Sequence, residues 1–351
     1  MEYVLMKGNE ALAEAAVRAG CRFYSGYPIT PQTEILEYLS WRLDEVDGEF
    51  VQTESELSGI NMMLGAAAAG ARVIGSSSGP GFSLFQEGIS YLVAADLPSV
   101  LVNVMRYGNG LGDISQSQGD YWQLTRGGGH GDYRTIVLAP NSVQENVDLT
   151  YLAFDLAEKY RHPVIIGSDA AIGQMMEKVS LPEMTEHDID KFDWSIKGCK
   201  KGEEQKKITN LLYYMKDYDV FLENKYKEME ENEQRWESIQ VADAEVVLVS
   251  YGISSRVCKE AVRVAREQGI KLGLIRPISL WPYPVKAFEE LSSSCKALMT
   301  VEMNILGQMV DDVILATGNK YPVYKYATVK DVPETEIIID KVNKILSGEE
   351  I

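Results

Sequence analysis

Short apolar runs at 3–6, 22–25, 50–53, 73–76, 99–105, 135–138 and 164–167 alternate with stretches of helical periodicity, among them 9–18, 31–43, 57–69, 83–94 and 143–160. Each run suits a buried strand and is too short for a helix. Strand and helix in alternation predict a parallel sheet with helices on both faces. In such a sheet ligands sit beyond the carboxyl ends of the strands, so the loops that follow strands are where chemistry is to be sought.

After about residue 177 the pattern changes. Residues 181–243 are charged and poor in glycine, and Leu222, Tyr226, Met229 and Trp236 recur at spacings of three, four and seven. With Glu223/Lys227 and Glu231/Arg235 as supporting pairs, this predicts an amphipathic, largely helical connecting segment whose apolar stripe packs on the parent domain or a partner. Alternation resumes with strands at 245–250, 271–275 and 297–301 and helices at 255–268 and 307–316. The division expected is therefore a first α/β domain over 1–180, a connector over 181–243 and a smaller α/β domain over 244–351.

With 34 basic and 52 acidic residues, the net charge is −18, and no basic stripe stands out. That argues against a nucleic-acid or anionic-membrane surface. The segment from Met1 to Gly8 is too short and too charged for a signal peptide, and no stretch approaches the about 18 apolar residues of a membrane span; a cytoplasmic location is expected. Cys21, Cys199, Cys258 and Cys295 are widely spaced with no Cys-x-x-Cys pair. Such spacing offers neither zinc nor iron–sulfur ligation, so no metal residues are assigned.

Four places stand out after strands. In Gly26-Tyr27-Pro28-Ile29-Thr30-Pro31, the prolines stiffen a turn in which Pro31 opens a helix with Thr30 as its cap. The stretch Glu54-Ser55-Glu56 delivers two carboxylates to a helix start, where the dipole favours them; for Glu54 charge placement alone is an equal reading. Behind it, the small-residue run 64–71 allows close approach. Ser76-Ser77-Ser78-Gly79-Pro80-Gly81 reads as a polar glycine loop, by itself as much a turn as a ligand cradle. The long segment 106–132 opens with Arg106, which is placed to meet a carboxylate in bidentate fashion or to act as a plain ion-paired arginine. It also carries His130, more often a structural residue in such a setting.

Taken together and in order, these motifs, with Gly119-Asp120, Gly129-His130-Gly131-Asp132 and Arg276-Pro277-Ile278-Ser279-Leu280-Trp281-Pro282, resemble the alpha subunit of 2-oxoacid:ferredoxin oxidoreductases, of the 2-oxoisovalerate (branched-chain) type, over essentially the whole chain. The resemblance implies a thiamine diphosphate pyrimidine-binding domain followed by a transketolase-C-terminal-like domain. It implies that Glu56 hydrogen-bonds the pyrimidine and favours the tautomer that removes the thiazolium C2 proton. Thr30 and Arg106 match the positions that meet the substrate carboxylate, and Tyr27, Pro28, Ile29, Ser78 and Gly79 those that line the cofactor. A 2-oxoacid is then decarboxylated, electrons pass singly to an iron–sulfur cluster and ferredoxin, and the acyl group goes to coenzyme A. No Gly-Asp-Gly with a downstream Asn is present to hold magnesium and diphosphate. A beta subunit carrying the diphosphate, Mg and 4Fe-4S sites is therefore implied, with gamma and ferredoxin-like delta chains. Tyr107 and Asn109 depart from the glycine and proline usual there; Gln32, where serine is common, leans toward the branched-chain type. The 2-oxoglutarate type and a non-catalytic scaffold of the same fold remain alternatives.

Overall fold

The computed structural model describes residues 3–350. In chain order the first part runs β1 (Tyr3–Lys7), α1 (Gly8–Arg18), β2 (Phe23–Gly26), α2 (Thr33–Arg42), β3 (Glu49–Gln52), α3 (Glu56–Ala68), β4 (Val73–Ser77), α4 (Gly79–Ala94), β5 (Ser99–Met105), α5 (Tyr121–Arg126), β6 (Ile136–Leu138), α6 (Val143–Tyr160), β7 (Pro163–Asp169), α7 (Ala170–Gln174) and β8 (Met176–Ser180). Then follow α8 (Tyr218–Asn232), β9 (Trp236–Ile239), β10 (Val246–Val249), α9 (Gly252–Glu267), β11 (Leu272–Pro277), β12 (Ser279–Trp281), β13 (Ala297–Glu302), α10 (Val310–Thr317), β14 (Val323–Ala327) and α11 (Thr335–Ser347).

The main sheet has the order β12-β6-β7-β5-β4-β2-β3. Its strands from β6 to β3 are parallel, as the alternation predicts, with α1, α2 and α6 packed together and α3 packed on α4. Residues 99–105 and 163–169 are buried along their whole length, which is what a strand covered on both faces requires. The run at 3–6 is a strand but not a member of this sheet. Its three leading residues are exposed, and it pairs antiparallel with β8 in a separate two-stranded ribbon.

A second sheet, β14-β13-β10-β11-β9, forms the core of the smaller α/β unit. Two strands cross over between the units. The Arg276-to-Pro282 motif places β12 antiparallel on β6 at the edge of the main sheet, while β9, from the connector, closes the second sheet against β11. Within 181–243 the only long helix is α8; much of the remainder is irregular, so the segment is less helical than its composition suggests. Acidic and basic residues favour helix on average, but they supply no apolar face to pay the ordering entropy. In α8 Met229 is buried and Tyr226 meets His162 and Trp281 edge-on, so its apolar stripe does pack on the parent units. Glu223 pairs with Lys227 as expected; Arg235 lies beyond the helix and pairs with Glu233.

The two units are joined by buried polar groups. Arg276 holds Glu145 through both terminal nitrogens (2.8 and 2.7 Å) and Glu237 through Nε (2.9 Å). Gln118 donates to the Tyr251 carbonyl (2.9 Å) and accepts from Ser254 Oγ and the Met303 amide (both 3.0 Å). The Asp169 carboxylate, at the start of α7, accepts from the Ile172 and Ile253 amides and so also closes the start of α9. Burial pushes that carboxyl up to about 6.

Candidate active site

All of the residues singled out at the sheet come from the carboxyl ends of four neighbouring strands, β5, β4, β2 and β3. Glu56 is the first residue of α3, with Ser55 as the cap accepting from the Ser58 amide. It is 5% exposed, and its Oε1 lies 3.5 Å from Ser77 Oγ at the end of β4. Glu54 behaves differently. It is exposed one residue before the cap, and its carboxylate, lowered by the Ser58 hydroxyl it accepts from, is a helix-start charge.

The serine-glycine segment is not a loop. Strand β4 runs through Ser77 and α4 begins at Gly79, leaving Ser78 alone between them, because Pro80 in the first turn is pre-set for a helix and needs no partner for the amide it lacks. This arrangement brings α4 against Glu56. A Cβ on Gly81 would overlap both Glu56 Oε1 and Ser77 Oγ. The close approach expected of the run 64–71 is therefore supplied by Gly81. That run lies two or more turns down α3, over 12 Å away at about 1.5 Å per residue, and Gly65 there faces open space. The sequence signal for Gly81 is a glycine in a helical first turn, where propensity alone disfavours it.

The turn between β2 and α2 also differs in detail. Helix α2 starts at Thr33 with Gln32 before it, so neither Pro31 nor Thr30 occupies the positions expected. The physical reason is Gln32. Its side chain is fully buried, accepts from Ser76 Oγ (2.6 Å) and donates to the Tyr27 carbonyl (3.1 Å), which draws the chain inward before the helix can begin. Ser76 also meets Tyr24 OH at 2.9 Å. Tyr27, Pro28, Ile29 and Thr30 thus form a turn held on β4, with Tyr27 40% exposed at its lip.

Arg106 closes the site from β5. Its Nη1 donates to the Thr30 carbonyl (2.8 Å) and its Nη2 to the Leu111 carbonyl (2.6 Å). Each terminal nitrogen thus has one of its two N–H groups on a backbone carbonyl, which fixes the guanidinium in place. Its Nε is buried without a partner, beside Gly79. Asp120 lies nearby, held by Asn103 Nδ2 at 2.9 Å; burial raises its carboxyl while the field of Arg106 lowers it. The segment after Arg106 folds back on itself, Tyr107 donating to the Ser115 carbonyl and accepting from the Asp113 amide (both 2.8 Å). Lys330 pins it by pairing with Asp113 and lying over the Tyr107 ring, which accounts for the tyrosine at that position. His130 is not brought to this site. It is exposed and lines a cleft of about 510 Å³ with Asp132, Tyr218 and Glu223.

Beside Thr30 a pocket of about 400 Å³ is lined by Pro31, Ile114, Ala170 and Ala171, with Glu34, Gln116 and Gln174 as its larger polar side chains. It contains no lysine or arginine. Among the described residues no cluster of His, Cys, Asp and Glu suited to a metal ion occurs, and no helix is long and apolar enough to cross a membrane.

Residues 14–243 match the pyruvate flavodoxin/ferredoxin oxidoreductase thiamine diphosphate-binding family, and residues 244–340 match core domain II of pyruvate:ferredoxin oxidoreductase. The chain belongs to this family. It is similar to ketoisovalerate oxidoreductase subunit VorB of Methanothermobacter marburgensis, 51% identical over 90% of each chain. It also resembles 2-oxoglutarate synthase subunit KorA of Methanocaldococcus jannaschii, 39% identical over 89% of this chain and 91% of the relative. Among solved structures, the 2-oxoglutarate:ferredoxin oxidoreductase of Magnetococcus marinus superposes with a TM-score of 0.84 at 25% identity, over 98% of this chain and 65% of that one. The chain is thus an alpha-type subunit of the 2-oxoacid:ferredoxin oxidoreductases, and its two α/β units are the domains that family carries.

Proposed function

We propose that the chain is the pyrimidine-holding subunit of an enzyme that oxidatively decarboxylates 2-oxoisovalerate to an acyl-CoA and carbon dioxide, with ferredoxin as electron acceptor. The observation that carries it is the buried Glu56 carboxyl at the start of α3, set against a glycine on α4 where any side chain would displace it. A thiamine diphosphate pyrimidine fits this place, since a dry carboxyl able to share a proton with a ring nitrogen is what it needs. The bound cofactor supplies a nucleophilic carbon and an electron sink for the keto carbon of the substrate. Glu56 holds and moves the proton at the pyrimidine nitrogen; Tyr27, Pro28, Ile29, Ser78 and Gly79 shape the wall around it; Thr30 and Arg106 hold the 2-oxoacid by its carboxylate.

The aliphatic acid is favoured over 2-oxoglutarate by the pocket beside Thr30. Its apolar lining suits a branched side chain, whereas a second carboxylate entering it would meet Glu34 in the wall, with Lys7 behind it 3.9 Å from that carboxylate and outside the lining.

The proposed division is 1–180 for the pyrimidine-holding domain, 181–243 for the connector and 244–351 for the second domain, with β9 and β12 exchanged across it. Magnesium, the diphosphate contacts and a 4Fe-4S cluster are assigned to a beta subunit, with gamma and ferredoxin-like delta chains completing a cytoplasmic complex. The exposed apolar residues Leu57 and Met62 on α3 and Leu84 and Tyr91 on α4 support a partner on that face. In the complex assembled with its partner chains, Glu56→Gln is expected to lower 2-oxoisovalerate-dependent viologen reduction by at least about 100-fold. Undiminished activity would leave only the scaffold reading.

A further inference from the structure

Four observations meet at the amino end of α4. Arg106 is 8% exposed, and the described residues give it no carboxylate within ion-pair distance. Its Nη1 and Nη2 each donate once to a backbone carbonyl, and Nε, which has a single N–H, is buried with no partner at all. That donor lies against the first residue of α4: a Cβ on Gly79 would stand 2.8 Å from Nε, and Gly79 has a φ of +49°, which glycine alone adopts freely. Next to it Ser78 is fully buried, occupies the cap position of a 16-residue helix, makes no capping bond and leaves Oγ unpartnered. A capping serine normally satisfies its own helix, and a buried guanidinium normally has its donors filled. Here the Ser78 hydroxyl and the Arg106 Nε–H, the latter against the neighbouring Gly79, are both left without partners at the positive end of a helix dipole.

We infer that Ser78 is a substrate-binding residue, its hydroxyl donating to one oxygen of the 2-oxoacid carboxylate while Arg106 Nε–H donates to the other. The assignment rests on the 2-oxoacid chemistry proposed above and moves Ser78 from the cofactor wall to the substrate. Arg106 then recognises the carboxylate through its wholly unpartnered Nε–H. The second hydrogen bond that a guanidinium fork would otherwise supply comes from Ser78, and the two bonds to Thr30 and Leu111 keep the guanidinium from turning. The anion completes both unfilled donors and neutralises the buried cation, and all of this lies one helical turn from the Gly81 contact with Glu56.

The test uses the assembled complex. Ser78→Ala should raise KM for 2-oxoisovalerate about tenfold, equivalent to about 1.4 kcal/mol, with kcat and the thiamine diphosphate concentration for half-maximal reconstitution changed less than twofold. Calorimetric titration of the thiamine-free complex should show the same tenfold weakening for 2-oxoisovalerate and none for its uncharged methyl ester. Ser78→Cys, which keeps the side-chain shape with a somewhat larger atom but donates a far weaker hydrogen bond, should give the same KM rise if the alanine variant does not assemble. An unchanged KM together with a raised thiamine diphosphate requirement would return Ser78 to the cofactor and overturn the inference. A wild-type complex that reduces viologen with no 2-oxoacid would overturn the underlying function, a failure separable from the other because it does not involve Ser78.

Discussion

At the scale of single residues the site depends on clearances as much as on functional groups. Gly81→Ala would gain up to about 1 kcal/mol in helix propensity, yet its methyl would overlap the Glu56 carboxylate and Ser77 Oγ. We expect a fall in kcat of about tenfold or more with little loss in thermal midpoint; an alanine variant with wild-type turnover would refute the clearance argument. Arg106→Ala removes the donor to the Thr30 and Leu111 carbonyls at once. It should raise KM for the 2-oxoacid by tenfold or more and make the segment after Arg106 more susceptible to limited proteolysis than in the wild type. A change in KM alone would mean that the loop is held by Lys330 and its own turns without help from the guanidinium.

At the scale of elements, α9 is docked by a carboxylate from the other unit. Asp169 has its folded value raised to about 6, above the ordinary aspartate value of 3.8, because burial penalises the charge. The folded state therefore holds the proton more tightly than the unfolded state between those values. The stabilising contribution of this proton is complete below about 4 and is lost as pH rises through about 6, in total roughly 3 kcal/mol from the shift of about two units. The difference in thermal midpoint between wild type and Asp169→Asn, measured across pH 4 to 7, should accordingly decline with rising pH and level off above about 6.5. A difference that stays essentially flat over that range would show that the aspartate is ionised throughout. Gln118 belongs to the same junction, and every polar atom of its side chain is engaged by the second unit.

For the whole molecule, the exchange of β9 and β12 makes the two units one folding system. Arg276 sits at that crossing, 3% exposed on its side chain, between Glu145 of the first unit and Glu237 on β9. Arg276→Met would leave Glu145 without its cation and Glu237 with Lys259 alone. Both are partly solvated, so a cost of about 2 kcal/mol is expected, below the range for a fully buried pair. Calorimetry should show a lowered midpoint and separation of one transition into two; a single unshifted transition would mean that strand exchange alone couples the units.

The roles given to Glu56, Thr30 and Arg106 rest on the resemblance to the family; the alternation of apolar runs and helical periodicity was enough, from sequence, for the parallel sheet and the strand ends at which to look. These follow from local periodicity and from the rule that ligands sit at strand carboxyl ends. What lay beyond local pattern was decided by residues distant in the chain. Gln32 reaches Ser76 and delays α2 past Pro31; Gly81 meets Glu56 only because α3 and α4 pack side by side; Arg106 is fixed by one bond from each terminal nitrogen to the Thr30 and Leu111 carbonyls. The pairing of β1 with β8 outside the main sheet and the edge position of β12 were likewise invisible, since such partners are fixed by which surfaces remain uncovered once the core has formed. Sequence by itself thus determined which groups could do chemistry and on which side of the sheet. The tertiary structure alone decided which of their hydrogen bonds are already taken and which are left open for a ligand, because that depends on the packing of neighbours far apart in the chain.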